Sequence, residues 1–128
     1  MKIKIIYILL LYYVFYGCNT EAKAPFLKLE TDIINLGNII SNDTLKVRFK
    51  IFNTGNDTLR ILKLGTSCGC TDGYVHKKIL LPNDSSLVSL NYSPILDRDS
   101  IVKSIIIENN SLEPFKLVRL VGFKKGGF

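Results

Sequence analysis

Between Thr44 and Asn53 apolar and charged residues alternate without a break: Leu45, Val47, Phe49 and Ile51 take one parity, Lys46, Arg48 and Lys50 the other. Successive side chains of an extended chain point to opposite faces, so this pattern describes a strand with one face in a core and the other in water. After Cys18 no segment shows the recurrence of an amphipathic helix, and runs of similar character predict strands at Phe26–Glu30, Ile33–Leu36, Thr58–Leu64, Ser86–Tyr92, Ile101–Glu108 and Phe115–Phe123. Turn-forming clusters separate them: Gly37-Asn38, Asn53-Thr54-Gly55-Asn56, Pro82-Asn83-Asp84, Leu96-Asp97-Arg98-Asp99 and Asn109-Asn110-Ser111. The expected fold is all-β, a single immunoglobulin-like antiparallel β-sandwich of about seven strands. The chain has no Trp and no widely spaced cysteine pair to bridge two sheets, so aliphatic residues and Phe must fill the core.

At 128 residues there is room for one such domain. It is preceded by a segment of different character. Lys2 and Lys4 lead into an uncharged run from Ile5 to Tyr16, the charged and hydrophobic regions of a secretory leader. The run is shorter than the ~20 apolar residues needed to span a bilayer. It ends at Gly17-Cys18, a small residue followed by a cysteine, which resembles the lipobox of bacterial lipoproteins, although Phe15 and Tyr16 are bulkier than usual there. The expected organisation is a signal peptide over 1–17, a lipidated Cys18 with a short tether over 18–25, the sandwich over 26–124 and a tail over 125–128. The alternative is an uncleaved signal anchor with an incidental cysteine. Cleavage before Cys18 leaves 111 residues and removes Lys2 and Lys4, lowering the formal charge from +6 to +4. The remaining basic residues are scattered, with Lys46, Arg48 and Lys50 on one strand face and Lys77-Lys78 and Lys124-Lys125 as isolated pairs. Nucleic-acid binding would call for a clustered basic patch, so the expectation is a solvated face and no nucleic-acid partner.

Four local features follow one another in order: Ile33-Ile34-Asn35-Leu36-Gly37-Asn38-Ile39, the turn from Phe49 to Leu59 around Asn53-Thr54-Gly55-Asn56, then Thr66-Ser67-Cys68-Gly69-Cys70-Thr71, then Leu81-Pro82-Asn83-Asp84. Together they resemble the bacterial family called domain of unknown function 1573, over roughly Leu29 to Gly122. Two departures are Asn35-Leu36-Gly37 where Asp-Phe-Gly is usual, and Asn83 in place of a Gly after Pro82. The resemblance implies an Ig-like fold related to the abnormal-spindle and hydin type, often borne by envelope lipoproteins. It implies no activity.

Cys68-Gly69-Cys70 is the one candidate reactive motif. With Cys18 consumed by lipid, the two remaining cysteines form an i, i+2 pair in an oxidising compartment. Three readings stand: a structural staple or pair of small apolar thiols; a redox pair, one thiol attacking and the other resolving; or a soft-metal site for Cu(I) or Zn, which paired thiolates favour, with His76 as a third ligand. Gly69 is expected to permit the tight bend a disulfide needs. No resident cofactor or closed metal site is expected. The single His and the absence of a Gly-x-Ser-x-Gly turn leave no hydrolase triad, and no glycine loop cradles a phosphate. Asp97 and Asp99 flank Arg98 in what reads as an ordinary turn.

Three related tripeptides, Asp43-Thr44-Leu45, Asp57-Thr58-Leu59 and Asp99-Ser100-Ile101, stand where loops enter predicted strands. Such side chains satisfy loose backbone donors there. The same pattern resembles the O-glycosylation signal of exported Bacteroidota proteins, making Thr44, Thr58 and Ser100 candidate acceptors. The functional expectation is a non-enzymatic, lipid-anchored module of the bacterial cell envelope that binds an envelope protein or glycan. The alternative is a thiol redox or copper-binding envelope protein using Cys68 and Cys70. Asn19-Thr20-Glu21-Ala22 lacks the acidic cluster of a surface-export signal, so the expected location is membrane-anchored and facing the periplasm.

Overall fold

The computed structural model describes residues 2–15, 17 and 21–125. Cys18, the expected lipidation site, and residues 126–128 of the expected tail lie outside the described residues. A helix, α1 (Lys2–Phe15), precedes nine strands: β1 (Leu27–Leu29), β2 (Ile33–Ile39), β3 (Leu45–Asn53), β4 (Leu59–Thr66), β5 (Thr71–Val75), β6 (Ile79–Leu80), β7 (Ser85–Tyr92), β8 (Asp99–Asn109) and β9 (Phe115–Lys124). Among the described residues no helix is long and apolar enough to cross a membrane. The 14 residues of α1 reach about 21 Å, against a hydrocarbon core of about 30 Å.

The strands form two sheets, β1-β3-β7-β5 and β2-β9-β8-β4-β6, packed as a sandwich. The alternating residues meet between them: Val47, Phe49 and Ile51 from β3, Val88, Leu90 and Tyr92 from β7, Ile101, Ile105 and Ile107 from β8, and Val118 and Leu120 from β9 are all buried. Each fully buried Val, Leu or Ile contributes roughly 1.5–3 kcal/mol relative to leaving it in water, and the core is built almost wholly from such side chains. The two outer faces differ. Lys46, Arg48, Lys50 and Asp72 make that of the four-stranded sheet polar, whereas Val102, Ile106, Phe115, Leu117 and Phe123 are exposed on the other.

Two strands have no signature in the sequence. Thr71-Asp72-Gly73-Tyr74-Val75 contains residues that strands usually avoid, and β6 is only two residues long. β5 exists because its backbone completes the ladder along β7, from Thr71 opposite Tyr92 to Val75 opposite Val88. Gly37-Asn38, expected to be a turn, lies inside β2. Gly37 takes a φ of 67° and donates its N–H to Asn35 Oδ1 at 2.8 Å, and the register along β9 shifts there. This bulge keeps β2 paired with β9 to Lys124. The pairing is parallel, whereas all the other ladders are antiparallel, so the sandwich has one parallel edge that a reading of hairpins alone does not anticipate.

The loops collect at two ends. At one end the segment before β1 is tied to the β3–β4 turn: Ala24 N–H donates to Asn56 Oδ1 at 2.8 Å, and Asn56 N–H to Ala24 O at 3.1 Å. Gly55 sits so close beneath it that a Cβ would lie 2.3 Å from Ala24 O. At the opposite end lie the β2–β3, β4–β5 and β7–β8 connections, where Leu45 and Thr71 both pair with Tyr92 and Asp99 pairs with Lys124.

Candidate functional site

The β4–β5 connection carries the cysteine motif from one sheet to the other. Ser67 grips β8 twice, its N–H donating to Ser104 O at 2.9 Å and its Oγ accepting Ser104 N–H at 3.0 Å. Thr66 Oγ1 donates to Cys68 O at 3.1 Å, and Ser93 N–H donates to Cys70 O at 2.8 Å. Held at both ends, the loop bends back on itself and Cys68 and Cys70 form a disulfide with Cα atoms 5.2 Å apart. The bonded pair is the state that the staple and redox readings share. Gly69 does not use a left-handed φ here. Thr71 is 4% exposed, and its Oγ1 lies 3.8 Å from each sulfur. A disulfide sulfur carries no proton, so the hydroxyl is the donor in these contacts.

The β7–β8 loop forms the facing wall. Asp97 N–H closes a turn onto Pro94 O at 3.2 Å, which leaves Ile95 and Leu96 projecting at 63% and 86% exposure. Beneath them Asp97 accepts from Tyr92 OH at 2.5 Å and from Lys103 Nζ at 2.6 Å. Lys124 Nζ reaches Pro94 O and Asn42 Oδ1, both at 2.6 Å, and is only 5% exposed. Burial pushes the Asp97 carboxyl up. The hydrogen bonds from Lys103 and Tyr92, with the charges of Lys103 and Lys124, outweigh it and hold the group below its ordinary 3.8. Burial first, then the hydrogen bond to Asp97 and its charge, pushes the Tyr92 hydroxyl well above its usual range, so it stays protonated as a donor. Between the walls lies a cleft of about 520 Å³, lined by the disulfide loop, Ser93, Ile95, Leu96, Asp97 and Lys103. Another depression, of about 450 Å³, lies beside β1 and the β3–β4 turn. It holds no cysteine or histidine, and its one carboxylate, Glu30, is taken up by Lys50 N–H at 2.7 Å.

Two expectations change in this frame. Lys124-Lys125 is not a solvated pair, because Lys124 shares the inward parity of Val118 and Leu120 and is drawn under the β7–β8 loop. Asp97-Arg98-Asp99 is more than a turn, since Asp97 is the acceptor that ties that loop to the core. The structure does not bring His76 to the cysteines. It follows β5 at the far end from Cys70, where Nε2 meets Ser89 Oγ at 2.8 Å and the ring lies tilted against Tyr74. Among the described residues no three His, Cys, Asp or Glu side chains converge to hold an ion, so the set Cys68, Cys70 and His76 is not assembled. Thr44 and Ser100 are exposed at the cleft end. Thr58 is half-buried at the other end, its N–H taken by Asp57 Oδ1 at 2.7 Å.

Thr71, Ile95, Leu96 and Lys103 escaped the reading of the sequence. A signal for Lys103 existed: it interrupts the inward series Ile101, Ile105, Ile107. Thr71 stands at the end of the cysteine motif itself. Nothing in the sequence marks Ile95 and Leu96, which matter only because their loop faces the disulfide across the cleft.

No curated protein matches the chain. Among solved structures, a protein of unknown function from Porphyromonas gingivalis W83 is similar with a TM-score of 0.72 at 19% identity, over 84% of this chain and 50% of that one. The ASH/PapD-like domain 7 of human CEP192 has a TM-score of 0.64 at 13% identity, over 85% of this chain and 92% of that one. The YadV chaperone has a TM-score of 0.59 at 11% identity, over 78% and 52%. The chain thus spans about half the length of the first of these, and at such identities the likeness concerns the fold alone. A family model described as protein of unknown function (DUF1573) matches residues 27–123, nearly the whole sandwich including the cysteine loop, and the chain belongs to that family.

Proposed function

We propose that the protein is a non-enzymatic binding module of the bacterial envelope, anchored by a lipid on Cys18, facing the periplasm, and engaging an envelope protein or glycan through its loops. One observation carries this reading: the segment leading from Cys18 enters the sandwich at one end, tied down by Ala24 and Asn56, while the cleft opens at the other. A chain anchored through that segment holds its cleft end away from the bilayer. The part-buried Asp97–Lys103 pair and the buried Lys124 then serve to hold the β7–β8 loop in shape, which limits the ordering cost of binding.

The test has two arms. Labelled fatty acid should enter the full-length protein in cells and be lost, with release from the membrane fraction, in Cys18→Ser. A photo-crosslinking residue at Leu96 should yield a discrete adduct, while one at Leu112, exposed at the opposite end, should not. Unlabelled protein refutes the anchor, and equal adducts at both positions, or none, refute the loop-end binding surface.

A further inference from the structure

Beyond a binding role, and independently of any anchor, we propose that the Cys68–Cys70 disulfide is a thiol-exchange site whose substrate is a peptide cysteine flanked by apolar side chains. Three placements carry this. The disulfide lines an open cleft, and a Cβ at Gly69 would meet nothing within 4 Å, so the residue between the two cysteines is uncovered. Exposed Ile95 and Leu96 line the same cleft on the wall that faces the disulfide, offering apolar contact to the side chains that flank an incoming thiol. The Thr71 hydroxyl, buried and within reach of both sulfurs, is positioned to donate to a thiolate on either one.

The two sulfurs are not equivalent. Cys70 packs against the hydrophobic core, and Cys68 is not among the residues that do. The incoming thiolate therefore attacks Sγ of Cys68. A new S–S bond forms between the peptide and Cys68 as the Cys68–Cys70 bond breaks, and the electron pair leaves on Cys70 Sγ, which accepts the Thr71 hydrogen bond and takes its proton from solvent. A second thiol on the same peptide then attacks the peptide sulfur of the mixed disulfide and expels Cys68 as a thiolate. The peptide dithiol is oxidised to a disulfide and the protein disulfide is reduced to two thiols, a two-electron exchange with no other reactant. With a single-thiol peptide the exchange stops at the mixed disulfide, and the sequence separation of 2 keeps Cys70 at hand to reverse it.

The experiment uses the oxidised full chain and two probes, glutathione and a short peptide with Leu on both sides of one Cys. Reactions are quenched with acid, alkylated and mapped by mass spectrometry. The peptide should be found on Cys68 with Cys70 alkylated, forming about tenfold faster than the glutathione adduct, which corresponds to burying one aliphatic contact. Replacing Ile95 and Leu96 together by Ser should remove that advantage and leave the glutathione rate unchanged. Thr71→Val should slow both probes about three- to tenfold, the worth of one hydrogen bond, and Thr71→Ser should restore them. Equal rates for the two probes, an adduct mainly on Cys70, or a peptide advantage that survives loss of Ile95 and Leu96 would each overturn the proposal. The loop variants change only exposed side chains, so a folding defect in Thr71→Val does not spoil the test.

Discussion

Asn53 ends β3 and is completely buried, yet every polar atom of its side chain is engaged. Oδ1 accepts from Gly55 N–H at 3.1 Å and Phe26 N–H at 3.3 Å; Nδ2 donates to Asp57 O at 2.7 Å and Leu80 O at 3.0 Å. One amide thus joins the segment before β1, the β3–β4 turn and β6. At about 1 kcal/mol net per bond, Asn53→Ala should cost about 4 kcal/mol, a large part of the 5–15 kcal/mol that holds a domain of this size together. Asn53→Asp preserves shape and both accepted bonds but turns an oxygen towards two carbonyls. Its charged form should be at least as damaging as Ala, and protonation should restore one donor. The variant carboxyl is therefore expected to have a raised pKa in the folded state. Stability recovered by protonation is present at low pH and lost as pH rises through that raised value, so the gap to wild type should narrow from pH 7 to pH 4. With a urea slope of about 2 kcal/mol/M, Asn53→Ala should move the midpoint by about 2 M at unchanged slope. A shift under about 0.5 M, or an Asn53→Asp gap independent of pH, would refute the reasoning.

Gly73→Ala should lower stability by about 1–3 kcal/mol, because a Cβ there would meet Leu90 Cδ2 at 2.5 Å and Ser89 O at 2.7 Å, whereas Gly69→Ala should stay within about 0.5 kcal/mol; equal melting temperatures for the two would contradict the packing described. Asp97→Asn should destabilise by about 2 kcal/mol at neutral pH by leaving Lys103 without its carboxylate. Because the folded pKa of Asp97 lies below 3.8, the wild type's advantage is present above that value and should fade as pH drops through the folded one; a gap as wide at pH 2.5 as at pH 7 would exclude this assignment. Replacing Cys68 and Cys70 together by Ser should cost only about 1.5 kcal/mol by urea titration, since a disulfide of sequence separation 2 closes a very short loop, and a loss above about 4 kcal/mol would show that it holds more of the fold than its own loop.

The long strands were legible because their pattern is local. Leu45 to Ile51 alternate at the period of an extended chain, and that parity selects which residues are buried whatever their partners turn out to be. The same holds for Val88, Leu90 and Tyr92, and for Val118 and Leu120. The cysteine pair was legible as chemistry, although not its surroundings. Lys103 and Lys124 sit at inward positions of otherwise apolar series, a break in pattern that marks a buried polar network in advance.

What amino-acid order by itself determined was the all-β class, the inward faces of the long strands and the presence of one close cysteine pair, because each depends on residues within a few positions of one another. The tertiary structure alone decided the rest. β5 is a strand because β7 offers it a ladder, and β2 pairs with β9 in parallel, through a bulge at Gly37, although the two lie at opposite ends of the domain's sequence. The cleft exists because the β4–β5 and β7–β8 loops, which share little in sequence, close over one end of the sandwich and bring Ile95, Leu96 and Thr71 to the disulfide. Side-chain parity is a local property of a strand, whereas the meeting of two loops is a property of the whole folded chain.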